Sequence, residues 1–352
     1  MTLPLLKIAD RPIGPDHPPF VIAEMSGNHN QSLDRALAIV DAAAEAGAHA
    51  IKLQTYTADT MTLDVDREEF RINDPQSLWF GRQLHELYQE ASTPWDWHGP
   101  IFQRASDRGL IAFSSPFDET AVDFLQSLEA PAYKIASFEL TDLPLIRCAA
   151  RTGKPLIMST GMATLAEIHD AVQTARDCGN DQLVLLKCTS TYPATPESTN
   201  LQTIPHLQQS FQTHVGLSDH TGGIGAAVAS VAVGASVIEK HFTLRRDDGG
   251  VDSAFSIEPN ELQNLVIETE RAWQALGDVA YGPTGAQKKS LLFRRSIFVT
   301  CPVSAGQVVR PEDLKIVRPG HGLPPAMWDR VCGRTANRDL SRGEPTDWEM
   351  FV

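Results

Sequence analysis

The sequence predicts a (β/α)8 (TIM) barrel followed by a small, mostly β unit. Three observations carry this. Eight short apolar runs alternate with amphipathic helical stretches between residues 20 and 275, and eight strand–helix units in roughly 260 residues match the usual size of such a barrel. The last two runs both end in histidine, Val-Gly-Leu-Ser-Asp-His at 215–220 and Val-Ile-Glu-Lys-His at 237–241. As neighbouring parallel strands they bring both imidazoles to one end of a sheet. Beyond about residue 290 the helical stretches stop, and short runs punctuated by Gly306, Gly320, Gly322, Gly333 and Gly343 take over.

Taken in order, Phe20–Glu24 reads as the first strand, with a helix over Leu33–Ala46. His49–Gln54 is the second; a longer polar excursion, Tyr56–Phe80, precedes helical material at 82–91 and 97–108. Leu110–Ser114 and the helix Thr120–Leu128 form the third unit, Ala132–Ile135 and Leu143–Arg151 the fourth. Pro155–Ser159 and Leu165–Cys178 form the fifth, Leu183–Lys187 and Leu201–Ser210 the sixth. The two histidine runs follow, separated by the helical stretch Gly225–Val233 and closed by an amphipathic helix over Pro259–Ala275. A doubly wound open sheet is the alternative, but no G-x-G-x-x-G follows the first strand. The expected division is a barrel over 1–280, a Gly- and Lys-rich linker at 281–291 and a small domain at 292–352.

Composition narrows the function. With 352 residues and 42% hydrophobic content the chain suits a globular protein with a sizeable core. No apolar run is long enough to span a membrane, and Met1–Asp10 lacks the long apolar stretch of a signal peptide. A net charge of −14 argues against nucleic-acid binding, so an anionic substrate needs a locally basic pocket. The five cysteines include no C-x-x-C pair, which predicts reduced thiols in the cytoplasm.

Chemistry in such a barrel sits at the C-terminal ends of the strands. The clusters expected there are Glu24 with Ser26–Asn30, Lys52 with Gln54, Ser114–Ser115, Lys134 with Ser137 and Glu139, Ser159–Gly161, Lys187 with Thr189, Ser190 and Tyr192, Ser218–His220, and Glu239–His241. Neutral imidazoles suit a transition metal, so His220 and His241 are candidate ligands, with Glu24 joining directly or through water. Each histidine also fits a plain hydrogen-bonded strand end, and His29 fits either a substrate contact or a loop stabiliser. Lys52 and Lys134 lie in apolar strands, where an unpaired ammonium is costly. Each therefore meets a ligand anion, with Ser115, Ser137 and Ser159 around it, or a carboxylate such as Glu24, Glu139 or Glu239. Glu139, Tyr192 and Asp252 are candidates to hydrogen-bond a polyol or move a proton, with Gly249-Gly250 letting the Asp252 loop fold over the mouth. Asp247-Asp248 reads as a solvated loop.

The motifs Asn28-His29-Asn30, KLQTY at 52–56, PAYKIAS at 131–137, STGM at 159–162, C-x-x-x-Y-P at 188–193, GLSDHT at 216–221 and EKHFT at 239–243 together resemble the sialic acid synthase family. The resemblance covers nearly the whole chain, and the tail with VRPGHGLPP at 317–325 is similar to that family's antifreeze-like (SAF) domain. SGNHNQS at 26–32, TPWDWH at 93–98 and FSSPFD at 113–118 look most like the pseudaminate-forming branch, with Gln31 standing where neuraminate-forming members usually carry glycine.

The resemblance implies condensation of phosphoenolpyruvate with the amino sugar 2,4-diacetamido-2,4,6-trideoxy-altrose, giving pseudaminate and phosphate. Neuraminate and legionaminate synthesis are the alternatives; a non-catalytic sugar-binding protein on the same scaffold is the alternative of another class. It further implies a divalent metal, Mn²⁺ in preference to Mg²⁺ or Co²⁺, on His220 and His241, with Glu24 at a metal-proximal water. Lys52, Ser115, Lys134, Ser137 and Ser159 would bind phosphoenolpyruvate, with Ser190 and Ser218 nearby. Gln54, Glu139, Tyr192 and Asp252 would face the sugar. The implied assembly is a homodimer whose SAF domain is swapped over the partner barrel, bringing Arg318 across. Ser190 departs from the asparagine common in neuraminate-forming members.

Overall fold

The computed structural model describes Leu3 and residues 5–352, which fall into two units, Met1–Gly277 and Asp278–Val352. A short antiparallel hairpin, β1 (Leu6–Ile8) and β2 (Arg11–Ile13), opens the first unit. Eight strands follow: β3 (Phe20–Glu24), β4 (Ala50–Thr55), β5 (Ile111–Pro116), β6 (Tyr133–Ile135), β7 (Leu156–Ser159), β8 (Leu183–Cys188), β9 (His214–Asp219) and β10 (Val237–His241). They are parallel and close into a barrel, with β10 hydrogen-bonded to both β9 and β3. The expected strand limits differ from these by no more than two residues, the usual uncertainty of element ends.

Strand alternation sorts the side chains. Phe20, Ile22, Ala50, Phe113, Ala132, Ile157, Val184, Leu186 and Val237 fill the barrel interior. Their out-of-phase neighbours, among them Val21, Ile51, Leu53, Ile135, Met158, Leu185, Leu217 and Ile238, pack against helical residues such as Ile39, Ile101, Leu125, Ile146 and Leu265. The inner layer is tight: a Cβ on Gly216 would lie 2.1 Å from the Val237 carbonyl oxygen and 2.7 Å from Leu186 Cδ2. Leu6, Ile8 and Ile13 of the hairpin join this inner cluster. They cover the N-terminal end of the barrel, a plug that was not anticipated from the sequence. The C-terminal end is left for the polar strand ends.

Local signals start the helices where the periodicity predicts them. Ser32 accepts from the Arg35 amide ahead of Leu33–Glu45, Asp118 from Ala121 ahead of Glu119–Ser127, and Thr164 forms a capping box with Glu167 ahead of Leu165–Asp177. The excursion after β4 is not featureless. It holds a helix at Ala58–Met61 and a narrow hairpin in which Ile72 and Arg82, and Gly81 and Ile72, exchange backbone bonds.

In the second unit β11 (Ser296–Val299) pairs antiparallel with β12 (Leu314–Val317) over a core that includes Ile297, Val299, Val303, Val309, Leu314, Val331, Leu340 and Phe351. The stretch expected as a linker carries a 3-10 helix over Ala286–Phe293. Among the described residues no helix is long and apolar enough to cross a membrane.

Candidate active site

At the C-terminal end of the barrel the inward positions change from apolar to charged. Glu24, Lys52, Ser115, Lys134, Ser159, Ser218, Glu239 and His241 stand in phase with the inner core residues of their own strands, and all are buried. Lys52 Nζ lies 2.5 Å from Glu24 Oε2, 3.1 Å from Ser115 Oγ and 3.9 Å from Glu239 Oε2. Lys134 Nζ lies 3.1 Å from Glu239 Oε1, which also accepts from Ser218 Oγ at 2.9 Å. Two ammonium groups thus share one carboxylate between them. Gln54 Nε2 donates to Glu24 Oε1 and to Ser26 Oγ, both at 3.0 Å.

The two carboxyls are not equivalent. Burial alone would raise Glu239, but Lys134 and Lys52, with the Ser218 hydrogen bond, outweigh it and hold the group down to about 2. For Glu24 burial wins over the attraction of Lys52, aided by repulsion from Glu239, and the carboxyl is pushed up to about 7. Of the two, Glu24 is the carboxyl shifted toward its neutral form by burial, while its contact with Lys52 stays short.

Around this cluster, Ser137 Oγ and Ser190 Oγ are 2.8 Å apart. Gly161, at φ +40°, passes so close that a Cβ there would meet Ser137 Cβ at 2.3 Å and Ser190 Oγ at 2.6 Å. Among the described residues, the buried Ser159 Oγ and Glu139 Oε2 have no hydrogen-bond partner. They are polar groups that a ligand would satisfy. Burial pushes the Glu139 carboxyl up to about 7.

The two histidines do meet. Their ring centroids are 5.3 Å apart and their planes are inclined at 63°. His220 Nδ1 is 2.9 Å from the Thr189 carbonyl oxygen, which can only accept, so Nδ1 carries the proton and Nε2 presents its lone pair. Burial opposes protonation of His220; the neighbouring Cys188 and the Thr189 carbonyl favour it and prevail. Burial, with His220 beside it, holds His241 well below the usual imidazole range, and its Nδ1 has no hydrogen-bond partner. A neutral, orphaned imidazole facing a carbonyl-oriented one is a donor pair suited to a divalent ion.

The sequence left Glu24 to join a metal directly or through water. Among the described residues no three His, Cys, Asp or Glu side chains converge to hold a metal, and Glu24 is committed to Lys52 and Gln54.

Other candidates separate cleanly. Asp252, fully buried, hydrogen-bonds Ser26 Oγ and approaches His241 Nδ1 at 3.9 Å. Its loop is strapped to the first strand end, where Asn30 Nδ2 donates to the Gly249 carbonyl, and a Cβ on Gly250 would strike Asn30 Oδ1 at 2.5 Å. Tyr192 stacks obliquely on His220 with centroids 4.4 Å apart. His29 is a loop stabiliser: its Nδ1 accepts from the Gln31 amide, leaving Nε2–H for Thr93 Oγ1 at 3.1 Å. Asp248 is not merely solvated; it pairs with Arg35 at 2.8 Å and with Arg245 at 2.7 Å. Lys187 and Lys240 lie out of phase with the inner residues. Arg318 is exposed in the second unit. Glu239 and Ser26 were placed at strand ends without a substrate role, and Cys188 was not placed in the site. For Glu239 and Cys188 strand phase was the available signal, since each stands two residues from an inner residue of its own strand.

A cavity of about 340 Å³ opens beyond the strand ends, lined by Gln54, Ser137, Glu139, Ser190, Tyr192, His241 and Asp252 on its polar side.

Comparison with known proteins agrees with this architecture. A family model described as the NeuB family matches residues 39–281, and one described as the SAF domain matches residues 294–352. The chain is 43% identical over 325 residues to the pseudaminic acid synthase of Campylobacter jejuni subsp. jejuni serotype O:2, covering 92% of this chain and 94% of that protein. It is 41% identical over 330 residues to the pseudaminic acid synthase of Helicobacter pylori, covering 93% and 96%. Among solved structures, the N-acetylneuraminic acid synthetase of Leptospira borgpetersenii serovar Hardjo-bovis matches with a TM-score of 0.73 at 31% identity, over 82% of this chain and 95% of that one. The resemblance carried by the motifs is borne out: the chain belongs to the NeuB family and carries a SAF domain C-terminal to its barrel in sequence.

Proposed function

We propose that the chain is a pseudaminic acid synthase, condensing phosphoenolpyruvate and 2,4-diacetamido-2,4,6-trideoxy-altrose, with water, to pseudaminate and phosphate. Relatives of that name match over most of the chain. The observation that carries the chemistry is the pair of buried ammonium groups, Lys52 and Lys134, at 3.9 and 3.1 Å from one carboxylate inside the barrel. The two ammonium groups make the locally basic spot that an anionic substrate needs in a chain of net charge −14.

In this reading Lys52 and Lys134 bind the carboxylate and phosphate of phosphoenolpyruvate. Ser115, Ser137, Ser159, Ser190 and Ser218 donate around it, and the fixed dipoles stabilise charge where it develops. His220 and His241 would hold a divalent metal, Mn²⁺ in preference to Mg²⁺ or Co²⁺, which supplies Lewis-acid polarisation of the acceptor's aldehyde. The methylene carbon of phosphoenolpyruvate bonds to that aldehyde carbon. The aldehyde oxygen, left as an alkoxide, takes up a proton to become the new hydroxyl. Glu24 takes a proton from the water that adds at the enol carbon, replacing the one delivered to that oxygen, and phosphate leaves from the resulting tetrahedral centre. Gln54, Glu139, Tyr192 and Asp252 orient the sugar. The assembly is a cytoplasmic homodimer in which the SAF domain of one chain covers the partner's barrel and Arg318 reaches its sugar; burial of this kind protects a cationic intermediate from bulk water. The synthase domain runs over 1–280, the linker over 281–291 and the SAF domain over 292–352.

Incubation with phosphoenolpyruvate, Mn²⁺ and a panel of open-chain amino sugars tests this. Phosphate release with the altrose acceptor, and a product mass equal to both substrates plus water less phosphoric acid, is expected. No release with any nonulosonate precursor overturns the reading, and turnover confined to N-acetylmannosamine reassigns the chain to neuraminate synthesis.

A further inference from the structure

Besides its polar groups, the cavity at the barrel mouth is lined by the apolar side chains of Met61, Ile72, Trp79, Leu84 and Leu87 and by Tyr88. All six come from the segment between β4 and the helix Trp95–Asp107. This wall is held in place. Ile72 is pinned in its hairpin by bonds from its amide to the Arg82 carbonyl at 3.0 Å and from the Gly81 amide to its own carbonyl at 2.7 Å. Trp79 Nε1 donates to the Val251 carbonyl at 3.1 Å, beside Asp252, and its ring lies 6.1 Å from that of Tyr192. The charged cluster of Lys52, Lys134 and Glu239 does not line this cavity.

A sugar whose aldehyde points at His241 and whose hydroxyl and amide groups meet Gln54, Glu139, Tyr192 and Asp252 has its non-reacting end left for the apolar wall. No group of Ile72 can pair a hydroxyl, and the Trp79 N–H is already spent on Val251. Set against Ile72 and Trp79, a methyl terminus is desolvated at no polar cost, whereas a hydroxymethyl terminus finds no partner on either side chain.

We propose that Ile72 and Trp79 are specificity determinants that select an acceptor ending in a deoxy methyl group over one ending in a hydroxymethyl group. The inference rests on the synthase reading above and adds to it which part of the chain reads the sugar's far end. An apolar pocket rejects an added hydroxyl only moderately, so the expected discrimination is roughly 10–100-fold in kcat/KM.

The test compares two acceptors identical except for methyl or hydroxymethyl at C6, assayed by phosphate release. Wild type is expected to prefer the methyl form. Ile72→Thr, which puts a hydroxyl on a shorter β-branched side chain, is expected to narrow the ratio at least about threefold while leaving KM for phosphoenolpyruvate unchanged. Trp79→Leu, which frees the Val251 carbonyl, is expected to narrow it too. Leu78→Ser, on the same hairpin but exposed, is expected to keep the wild-type ratio. Turnover with an unchanged ratio in both Ile72→Thr and Trp79→Leu overturns the inference and leaves the synthase reading standing. Absence of turnover by wild type with either acceptor overturns both.

Discussion

Lys240 Nζ lies 2.8 Å from Asp219 Oδ2, and these two fully buried residues immediately precede His241 and His220. They are register partners on β10 and β9. Lys240 also donates to the Thr221 carbonyl at 2.6 Å, and Asp219 Oδ1 accepts from both the Thr221 amide and hydroxyl. The outward face of the two strand ends is thereby locked, while the inward face presents the imidazoles. The pair is a positioning device. Lys240→Met leaves Asp219 without its cation and is expected to cost about 3–5 kcal/mol of unfolding free energy, the usual penalty for breaking a buried pair from one side. It should also weaken Mn²⁺ binding by roughly 10–100-fold, as changes to the support of a metal ligand do. Urea unfolding and calorimetric titration with Mn²⁺ measure the two effects. Wild-type values for both would show that the lock carries no weight.

The imidazoles themselves are expected to be dispensable for folding and indispensable for turnover. His220→Ala and His241→Ala should each retain the far-ultraviolet spectrum and the wild-type melting cooperativity, since neither ring belongs to the inner hydrophobic cluster. Each should abolish phosphate release and Mn²⁺ binding. Chelation of wild-type protein should do the same, with activity returning on adding Mn²⁺. Full activity in either variant, or in metal-stripped protein, contradicts the assignment.

Glu139 gives a stability test separate from the histidines. Its carboxyl titrates near 4.5 when unfolded and is pushed up to about 7 in the fold, chiefly by burial. A raised acid favours the neutral form, so its contribution is present below pH 4.5 and is lost as pH rises through about 7. Glu139→Gln removes this dependence. The melting temperature of wild type should therefore fall relative to that of Glu139→Gln between about pH 4.5 and 7 and run parallel to it above, measured in the absence of ligand. Profiles parallel over the whole range would mean that the carboxyl is effectively solvated.

Much of this was legible before any coordinates, and strand phase explains both what was and what was not. The barrel follows from eight apolar runs, and the inner polar set follows from reading which residues close them. Lys52 and Lys134 drew attention because a lysine in an apolar run is conspicuous. Glu239 was one of three carboxylates weighed as their partner, and only its phase with Val237 shows that it faces inward to both lysines while its neighbour Lys240 does not. The same parity turns Lys187 and Lys240 away from the site. The β1–β2 plug was missed because three-residue strands leave almost no periodic signal. The apolar cavity wall was missed because the excursion after β4 is polar on average, and Ile72 and Trp79 meet only through a hairpin and a bond to Val251, 172 residues further on.

Arg318 stands in the Arg-Pro-Gly of the second unit and is exposed. A guanidinium placed over a partner's sugar acts in trans, which makes complementation the decisive readout. Arg318→Ala should lower kcat/KM for the acceptor by roughly 10–100-fold with KM for phosphoenolpyruvate little changed, because the lost contact is a charged hydrogen bond to one substrate only. His220→Ala should be inactive for a different reason, with its own Arg318 intact. Mixing the two variants under conditions that allow subunit exchange forms heterodimers in which one barrel keeps its histidines and receives an intact Arg318 from the other chain. Activity above that of either parent is expected, reaching at most about half of wild type per active barrel pair. Co-expression with two different affinity tags isolates the heterodimer directly. A purified heterodimer no more active than the Arg318→Ala parent would place Arg318 in the same chain's site or outside the reaction altogether.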